Sequence, residues 1–265
     1  MKLRDKAMLK EAVQEAELVL VGIGEEWGVS FDDMMKETSF SDAYASLSTD
    51  EEREQFVPYM KWKYYKDVHS KTLQRAYENL YRLLEGKNYF ILSMNLDRYP
   101  DLFGFKKDRC VYPCGGYTHL QCDEGCSETL TEAILPAEKI CDHILKGKII
   151  GEADIIKCPQ CGKPMVFNNI LAQSYVEAGY LSAWNTYMKW LQGTVNKKLC
   201  LLELGVSLRF PSVIRWPFER TVFYNQKAKM FRIHHSLSQA AENTKDRCFS
   251  VDENSLQYME NLFVS

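Results

Sequence analysis

Short apolar runs separated by longer amphipathic stretches dominate the pattern of the chain. The four clearest runs read LVLVGI, YFILSM, LCLLELGV and KMFRI, and they begin at Leu18, Tyr89, Leu199 and Lys229. Strands that are apolar on both faces are typical of parallel sheets covered by helices. The pattern therefore predicts an α/β fold built on a parallel sheet.

Helical periodicity fills much of the remaining chain. A helix is predicted over residues 9–17, directly before the first strand. Residues 32–86 are predicted to be mostly helical, and STDEE at 48–52 marks a helix start, because Ser or Thr followed by acidic residues caps the first turn. An aromatic-rich run then repeats its large residues near helical spacing and ends at Gly86.

Composition narrows the class of protein. The 265 residues are 46% apolar and 26% charged, which is ordinary for a globular chain with a core. The formal net charge of −3 argues against nucleic-acid binding, which normally requires a basic surface. No run approaches the roughly 18 apolar residues of a membrane span, and the first residues resemble an amphipathic helix rather than an export signal. We therefore expect a cytoplasmic protein that binds neither membranes nor nucleic acids.

A cysteine-rich segment lies between the second and third predicted strands. In QCDEGC three residues separate Cys122 from Cys126, and in KCPQCGKPM two residues separate Cys158 from Cys161. Two such tight pairs favour a structural Zn²⁺ site, since four thiolates leave no open coordination position for catalysis. The 31 residues between the pairs exceed a usual ribbon spacer, so a helical insertion is expected at about 130–147.

The choice of zinc ligands stays open on spacing alone. Cys110 and Cys114 form a competing pair with the same spacing as Cys122 and Cys126. Buried thiols without a metal are the alternative, although such cysteines usually occur singly. We predict that the four ligands are Cys122, Cys126, Cys158 and Cys161.

Six separated stretches occur in the order in which the sirtuin family carries its motifs. They read LVLVGIG, YFILSMNLDRYPDLFGF, YPCGGYTHLQC, CPQCGKPM, LLELGVSLRFPSVIRWPFE and KMFRI. The chain thus resembles sirtuins, and NYFILSMNLD, LQC and LELGV resemble the bacterial branch that includes the macrodomain-linked sirtuins. The resemblance implies a Rossmann-like parallel sheet with a small zinc-binding and helical lobe, and an NAD-binding cleft between the two.

The resemblance also implies domain limits. Residues 1–108 and 166–265 would form the Rossmann-like NAD-binding domain, with the helical insertion at about 32–86. Residues 109–165 would form a zinc-ribbon small lobe.

Sirtuin chemistry is attack on the C1′ carbon of the nicotinamide ribose of NAD⁺, so the resemblance assigns roles to individual residues. Asn95 and Asp97 match the N-x-D segment that contacts the ribose and nicotinamide, although an Asx-rich loop cap after a strand is the alternative. The other residues implied to bind NAD are Gly22, Gly24 and Gly28 in the phosphate turn, Gly205 and Ser207 in the late G-x-S turn, and His234 after the last strand.

The phosphate turn departs from the sirtuin pattern. Its serines are missing, the interval to Gly28 is two residues shorter, and Glu25 and Glu26 stand in their place. A carboxylate directed into the turn would repel a phosphate at ~4 Å by about 4 kcal/mol near a protein surface. Two alternatives follow: the carboxylates block the diphosphate position, or they face solvent.

The position of the sirtuin catalytic histidine is the second departure. Counting back seven residues from Gln121 in LQC reaches Cys114. A thiol with an ordinary pKa of about 8.5 is a poor base near neutral pH. Cys114 could act as a nucleophile or an ADP-ribose acceptor; the favoured alternative is a small residue that fills vacated space. His119 has the wrong offset for the family role.

Three functional hypotheses follow from these motifs. The first is a sirtuin-like NAD-dependent transferase, with ADP-ribosyl transfer to a protein substrate or NAD hydrolysis favoured over lysine deacylation. The second is a catalytically degenerate module that binds NAD, ADP-ribose or a protein partner. The third is a zinc-stabilised interaction protein without a nucleotide. The acceptor or acyl substrate is not indicated by any motif.

Overall fold

The computed structural model describes residues 2–68, 70–148 and 155–264. These residues form two compact units. The first, called the sheet unit, comprises residues 2–28, 70–113 and 180–264. The second, called the cysteine unit, comprises residues 29–68, 114–148 and 155–179. The domain limits inferred above remain a prediction.

Six parallel strands form the sheet of the sheet unit, in the order β3-β2-β1-β7-β8-β9. Their bounds are β1 Leu18–Ile23, β2 Asn88–Ser93, β3 Cys110–Val111, β7 Leu199–Leu204, β8 Lys229–Ile233 and β9 Cys248–Val251. The strand order reverses between β1 and β7, which makes this place the topological switch point of the sheet. The predicted parallel α/β architecture is confirmed, and β3 and β9 are short edge strands that the apolar pattern did not reveal.

Helices accompany this sheet along the chain. They are α1 Lys2–Glu15, α5 Lys71–Leu83, α6 Tyr99–Leu102, α8 Ala178–Gln192, α9 Arg215–Tyr224 and α10 Ser255–Glu260. Helix α1 begins seven residues earlier than predicted. It ends before Glu17, because the Glu17 backbone N–H donates to the Lys198 carbonyl at 2.8 Å as the chain enters β1. The central strands are fully buried, as expected for parallel strands covered on both faces.

A second, antiparallel sheet forms part of the cysteine unit. Its order is β5-β4-β6, with bounds β4 Gly115–Cys122, β5 Thr131–Glu132 and β6 Met165–Asn169. The helices of this unit are α2 Phe31–Met34, α3 Thr38–Ser46, α4 Asp50–Asp67 and α7 Ile134–Leu145. The predicted helical insertion corresponds to α7. The predicted helix start corresponds to the start of α4, which Thr49 and Glu52 cap with reciprocal hydrogen bonds. No helix among the described residues is both long and apolar enough to span a membrane.

Candidate functional site

The turns that follow β1, β2, β7 and β8 carry most of the predicted NAD-binding residues. Gly24 follows β1, Asn95 and Asp97 follow β2, Gly205 and Ser207 follow β7, and His234 follows β8. The carboxyl ends of parallel strands lie at one edge of the sheet, and open α/β sheets bind their ligands there at the switch point. We call the turns after β1 and β7 the switch-point site.

Gly24 and Gly205 bring these two turns into backbone contact. A Cβ atom on Gly24 would lie 2.3 Å from the Gly205 carbonyl oxygen, and Gly205 has a φ of +64°. The Gly24 N–H donates to the Leu204 carbonyl at 2.8 Å. Only glycine fits both positions. Gly22 lies within β1, where a Cβ would lie 2.5 Å from Ile214 Cγ2.

Asn95 and Asp97 are buried beside the turn after β1. Their exposed fractions are 6% and 2%. Asn95 donates its side-chain amide to the Gly24 carbonyl at 2.9 Å, and a Cβ on Gly28 would lie 3.1 Å from Asn95 Oδ1. Asp97 Oδ1 also accepts the Tyr99 N–H at 3.4 Å, a local cap typical of Asx loops. The two polar side chains therefore lie together with Gly24 and Gly28.

Glu25 faces the turn after β7. Its Oε2 accepts the Ser207 backbone N–H at 3.0 Å, and its Oε1 accepts the Ser207 hydroxyl at 2.7 Å. These donors belong to the G-x-S turn, which the sirtuin resemblance assigns to NAD. Glu25 nevertheless remains an exposed residue. The carboxylate thus binds protein donors at the switch-point site instead of extending into solvent.

Glu26 is buried, with 7% of its side chain exposed. Its Oε2 accepts the Ser255 N–H at 2.6 Å and the Ser255 hydroxyl at 2.5 Å. Its Oε1 accepts the His235 N–H at 3.1 Å and lies 2.6 Å from His235 Nδ1. Burial alone would raise the pKa of Glu26, but the donors on Ser255 and His235 outweigh it, so the pKa lies below its usual value. Glu26 therefore connects the turn after β1 to the loop that follows β8 and to the first residue of α10.

Glu26, His234 and His235 also lie close enough together to raise the question of a metal site. His234 Nδ1 already accepts the backbone N–H groups of Ser236 and Leu237, each at 3.1 Å, so the ring proton lies on Nε2. Burial lowers the pKa of His234, which favours the neutral ring. Because neither His234 nitrogen offers an unused lone pair, this cluster is a hydrogen-bond network rather than a metal site.

A buried ion network supports the loop after β8, and the sequence analysis missed it. Glu203 on β7 is 1% exposed and accepts Arg215 Nε at 3.1 Å and Arg232 Nη2 at 3.0 Å. Arg215 donates to the Leu237 carbonyl, and Arg232 donates to the Gln239 carbonyl at 2.7 Å. The signal was the presence of Glu203 and Arg232 among the apolar residues of β7 and β8, since a buried charge requires a partner.

The four predicted zinc ligands lie together in the cysteine unit. Their Sγ atoms all lie within 4.8 Å of one another, with Cys122 and Cys161 3.4 Å apart and Cys126 and Cys158 3.6 Å apart. Backbone N–H groups of Cys161 and Gln160 lower the pKa of Cys158 to about 7, which favours the thiolate that a metal requires. This donor set could hold a metal ion. Cys110 and Cys114 are not part of the cluster.

Cys114 lies directly before β4 and is 3% exposed. Its carbonyl accepts the Ile170 N–H at 3.0 Å. Gln121 is fully buried. Its side-chain oxygen accepts hydrogen bonds from Asn168 Nδ2 at 2.7 Å and from the Val176 N–H at 2.9 Å. Gln121 therefore fixes the loop after β6, a role that the sequence did not indicate.

The strand order, with its switch point between β1 and β7, defines a Rossmann-like α/β fold. No protein-family model matches the chain. A protein ADP-ribosyltransferase of Staphylococcus aureus is 23% identical over 90% of this chain and 82% of its own length. A probable bifunctional ADP-ribose hydrolase/ADP-ribosyltransferase of Fusarium oxysporum is 29% identical, but the match covers 56% of this chain and only 26% of that protein.

Solved sirtuin structures resemble the chain over nearly its full length. Sir2Tm bound to a propionylated peptide has a TM-score of 0.56 at 13% identity, covering 99% of this chain and 97% of that chain. A mutant Sir2 homologue in complex with ADP-ribose has a TM-score of 0.54 at 11% identity, covering 96% of this chain and 94% of that chain. The chain therefore has a divergent sirtuin-like fold, and the resemblance inferred from its motifs is confirmed.

Proposed function

We propose that this protein is an NAD-dependent ADP-ribosyl transferase whose reaction includes NAD hydrolysis when water is the acceptor. Both curated proteins that it resembles carry ADP-ribosyltransferase in their names. The sirtuin-like fold supports the same class of chemistry.

In this reaction the bond between C1′ of the ribose and the nicotinamide nitrogen breaks. Nicotinamide leaves with the bonding electron pair, which neutralises its ring. The acceptor oxygen forms the new bond to C1′ and loses its proton to a base or to solvent. The transition state carries positive charge on the ribose, so a buried carboxylate close to it accelerates the step.

The observation that carries the proposal is the arrangement of Asn95 and Asp97. Both side chains are buried and lie against Gly28, where the absence of a Cβ leaves room for close approach. We assign Asp97 to stabilising the positive ribose and Asn95 to orienting it. The hydrogen bond from Asn95 to the Gly24 carbonyl holds the amide in place, so that little reorganisation is needed when NAD binds.

The cysteine at position 114 is the reason why we favour ADP-ribosyl transfer over lysine deacylation. Deacylation needs a base near neutral pH, and a cysteine stands at the position of the sirtuin histidine. Its 3% exposure supports the interpretation that it fills space.

Zinc is the metal that we propose for the four-cysteine cluster. Tetrahedral coordination with Zn–S bonds of about 2.3 Å requires sulfur atoms about 3.8 Å apart. The observed separations of 3.4 and 3.6 Å fit this geometry, and four thiolates are typical of structural zinc. Zinc would hold the end of β4 to the loop before β6 and would take no part in the reaction.

Release of nicotinamide from NAD⁺ by the purified protein tests the proposed activity. We expect Asp97→Asn, which removes the negative charge but keeps the shape, to lower the rate constant by at least about 100-fold. The matched control is Asp108→Asn, because Asp108 is exposed in the same unit and lies outside the site. Equal rates for the Asp97 and Asp108 variants, or no release by the unmodified protein, would contradict the proposal.

Binding without turnover is the second candidate function. The buried thiol of Cys114, in place of a histidine, favours it. Calorimetry separates the two candidates: saturable binding of ADP-ribose without any release of nicotinamide from NAD⁺ would support the binding module.

A further inference from the structure

Glu25 and Glu26 are neighbours in sequence but have different structural roles. Glu26 accepts hydrogen bonds from His235, which follows β8, and from Ser255, the first residue of α10, and has 7% of its side chain exposed. Glu25 is exposed and contacts the donors of a single residue, Ser207. Glu26 therefore fixes the backbone of the turn, whereas the Glu25 carboxylate binds the donors of Ser207.

The two donors of Ser207 are well suited to an anion. A backbone N–H and a hydroxyl converge on one carboxylate at 3.0 and 2.7 Å, at the carboxyl end of β7 beside the switch point. Phosphate oxygens accept hydrogen bonds from the same kinds of donor. The Glu25 carboxylate occupies the position of an anionic ligand at this turn.

We propose that Glu25 is a specificity-determining residue that competes with diphosphate for the Ser207 donors. A diphosphate binds at this turn only when the Glu25 side chain rotates away. The identity of the natural ligand as a diphosphate rests on the proposed function, but the competition itself concerns any phosphate-type anion.

Because the backbone around Glu25 is fixed, the Glu25 carboxylate can leave the Ser207 donors only by rotation of the side chain. Gly24 and Gly205 are in contact, and a Cβ on Gly205 would lie 2.5 Å from the Glu26 Cβ. The turn therefore cannot open without breaking the contacts of Glu26. Rotation of Glu25 costs only its two hydrogen bonds to Ser207 and exposes both donors.

This competition weakens binding in a way that depends on the charge of the ligand. A carboxylate within about 4 Å of a phosphate weakens its binding by more than tenfold near a protein surface. A neutral nucleoside such as adenosine carries no negative charge for the Glu25 carboxylate to repel. Glu25 thus lowers the affinity for diphosphates and leaves the affinity for nucleosides unchanged.

Inorganic pyrophosphate tests the competition without requiring NAD chemistry. The probe is the backbone amide of Ser207, followed by NMR during a pyrophosphate titration of the full chain. The variants are Glu25→Gln, which removes the charge, and Glu25→Ala, which also frees the donors. Glu11→Gln is the matched control, because Glu11 is an exposed residue on α1 and the change in net charge is the same.

We expect Glu25→Ala to bind pyrophosphate at the Ser207 amide at least about tenfold more tightly than the unmodified chain, with Glu25→Gln between them. Glu11→Gln should leave the affinity unchanged. Equal affinities for the unmodified chain and both Glu25 variants, including no binding by any of them, would overturn the proposal. A gain at Ser207 without nicotinamide release from NAD⁺ would uphold this inference and count against the proposed enzymatic function.

Discussion

Replacement of Glu203 by alanine tests how much the buried ion network with Arg215 and Arg232 stabilises the protein. Glu203 accepts hydrogen bonds from Arg215 and Arg232, whose side chains are 8% and 2% exposed. Its removal leaves two buried guanidinium groups with fewer anionic partners. The loop that begins after β8 depends on the same arginines through its carbonyl groups.

The expected magnitude follows from this burial. Breaking a buried ion pair by removing one partner costs about 3–5 kcal/mol. Arg232 keeps Glu219 at 2.8 Å, so part of its charge remains compensated. We therefore expect Glu203→Ala to lower the free energy of unfolding by about 3 kcal/mol, at the low end of that range.

Urea denaturation at neutral pH measures this free energy. The control is Glu219→Ala, because Glu219 contacts the same Arg232 but has 24% of its side chain exposed, so its loss should cost about 1 kcal/mol or less. The reasoning would be refuted if Glu203→Ala destabilised the protein no more than Glu219→Ala does.

Two further predictions concern Glu26 and the cysteine cluster. The pKa of Glu26 lies below its usual value, so its contribution to stability is present above about pH 4.3 and is lost as the pH falls through the lowered pKa. Glu26→Gln should therefore cost about 2 kcal/mol at pH 7 and progressively less in acid, as measured by denaturation across that range; a difference independent of pH would contradict this account. Cys158→Ser should lose bound zinc in metal analysis while Cys110→Ala retains it, and loss of zinc by the Cys110 variant instead would reassign the ligands.

Local sequence patterns determined much of the fold. The apolar runs that form β1, β2, β7 and β8 were recognisable because parallel strands are buried on both faces. The four clustered cysteines could be predicted because their close spacing within each pair is set by the chain itself. By contrast, β3 and β9 have only two and four residues, and pairing with a neighbouring strand defines them.

The candidate site was predicted in part. The sequence located the turns with Gly24, Asn95 and Asp97, since glycines and Asx residues directly after buried strands are local signals. It left open whether Cys114 is reactive, and the structure shows that this residue is buried. It gave no sign of the role of Gln121, because that role depends on a loop more than 50 residues later.

The directions of Glu25 and Glu26 were decided by the tertiary structure alone. The resemblance to sirtuins implied that two carboxylates stand in place of the serines of a phosphate turn, and both alternatives, blocking or solvent exposure, were compatible with that pattern. Glu25 binds a residue 182 positions away, and Glu26 binds one 229 positions away. Side-chain charge and spacing are local properties, but the donors that satisfy a carboxylate are brought to it only when the strands align their carboxyl ends at one edge of the sheet.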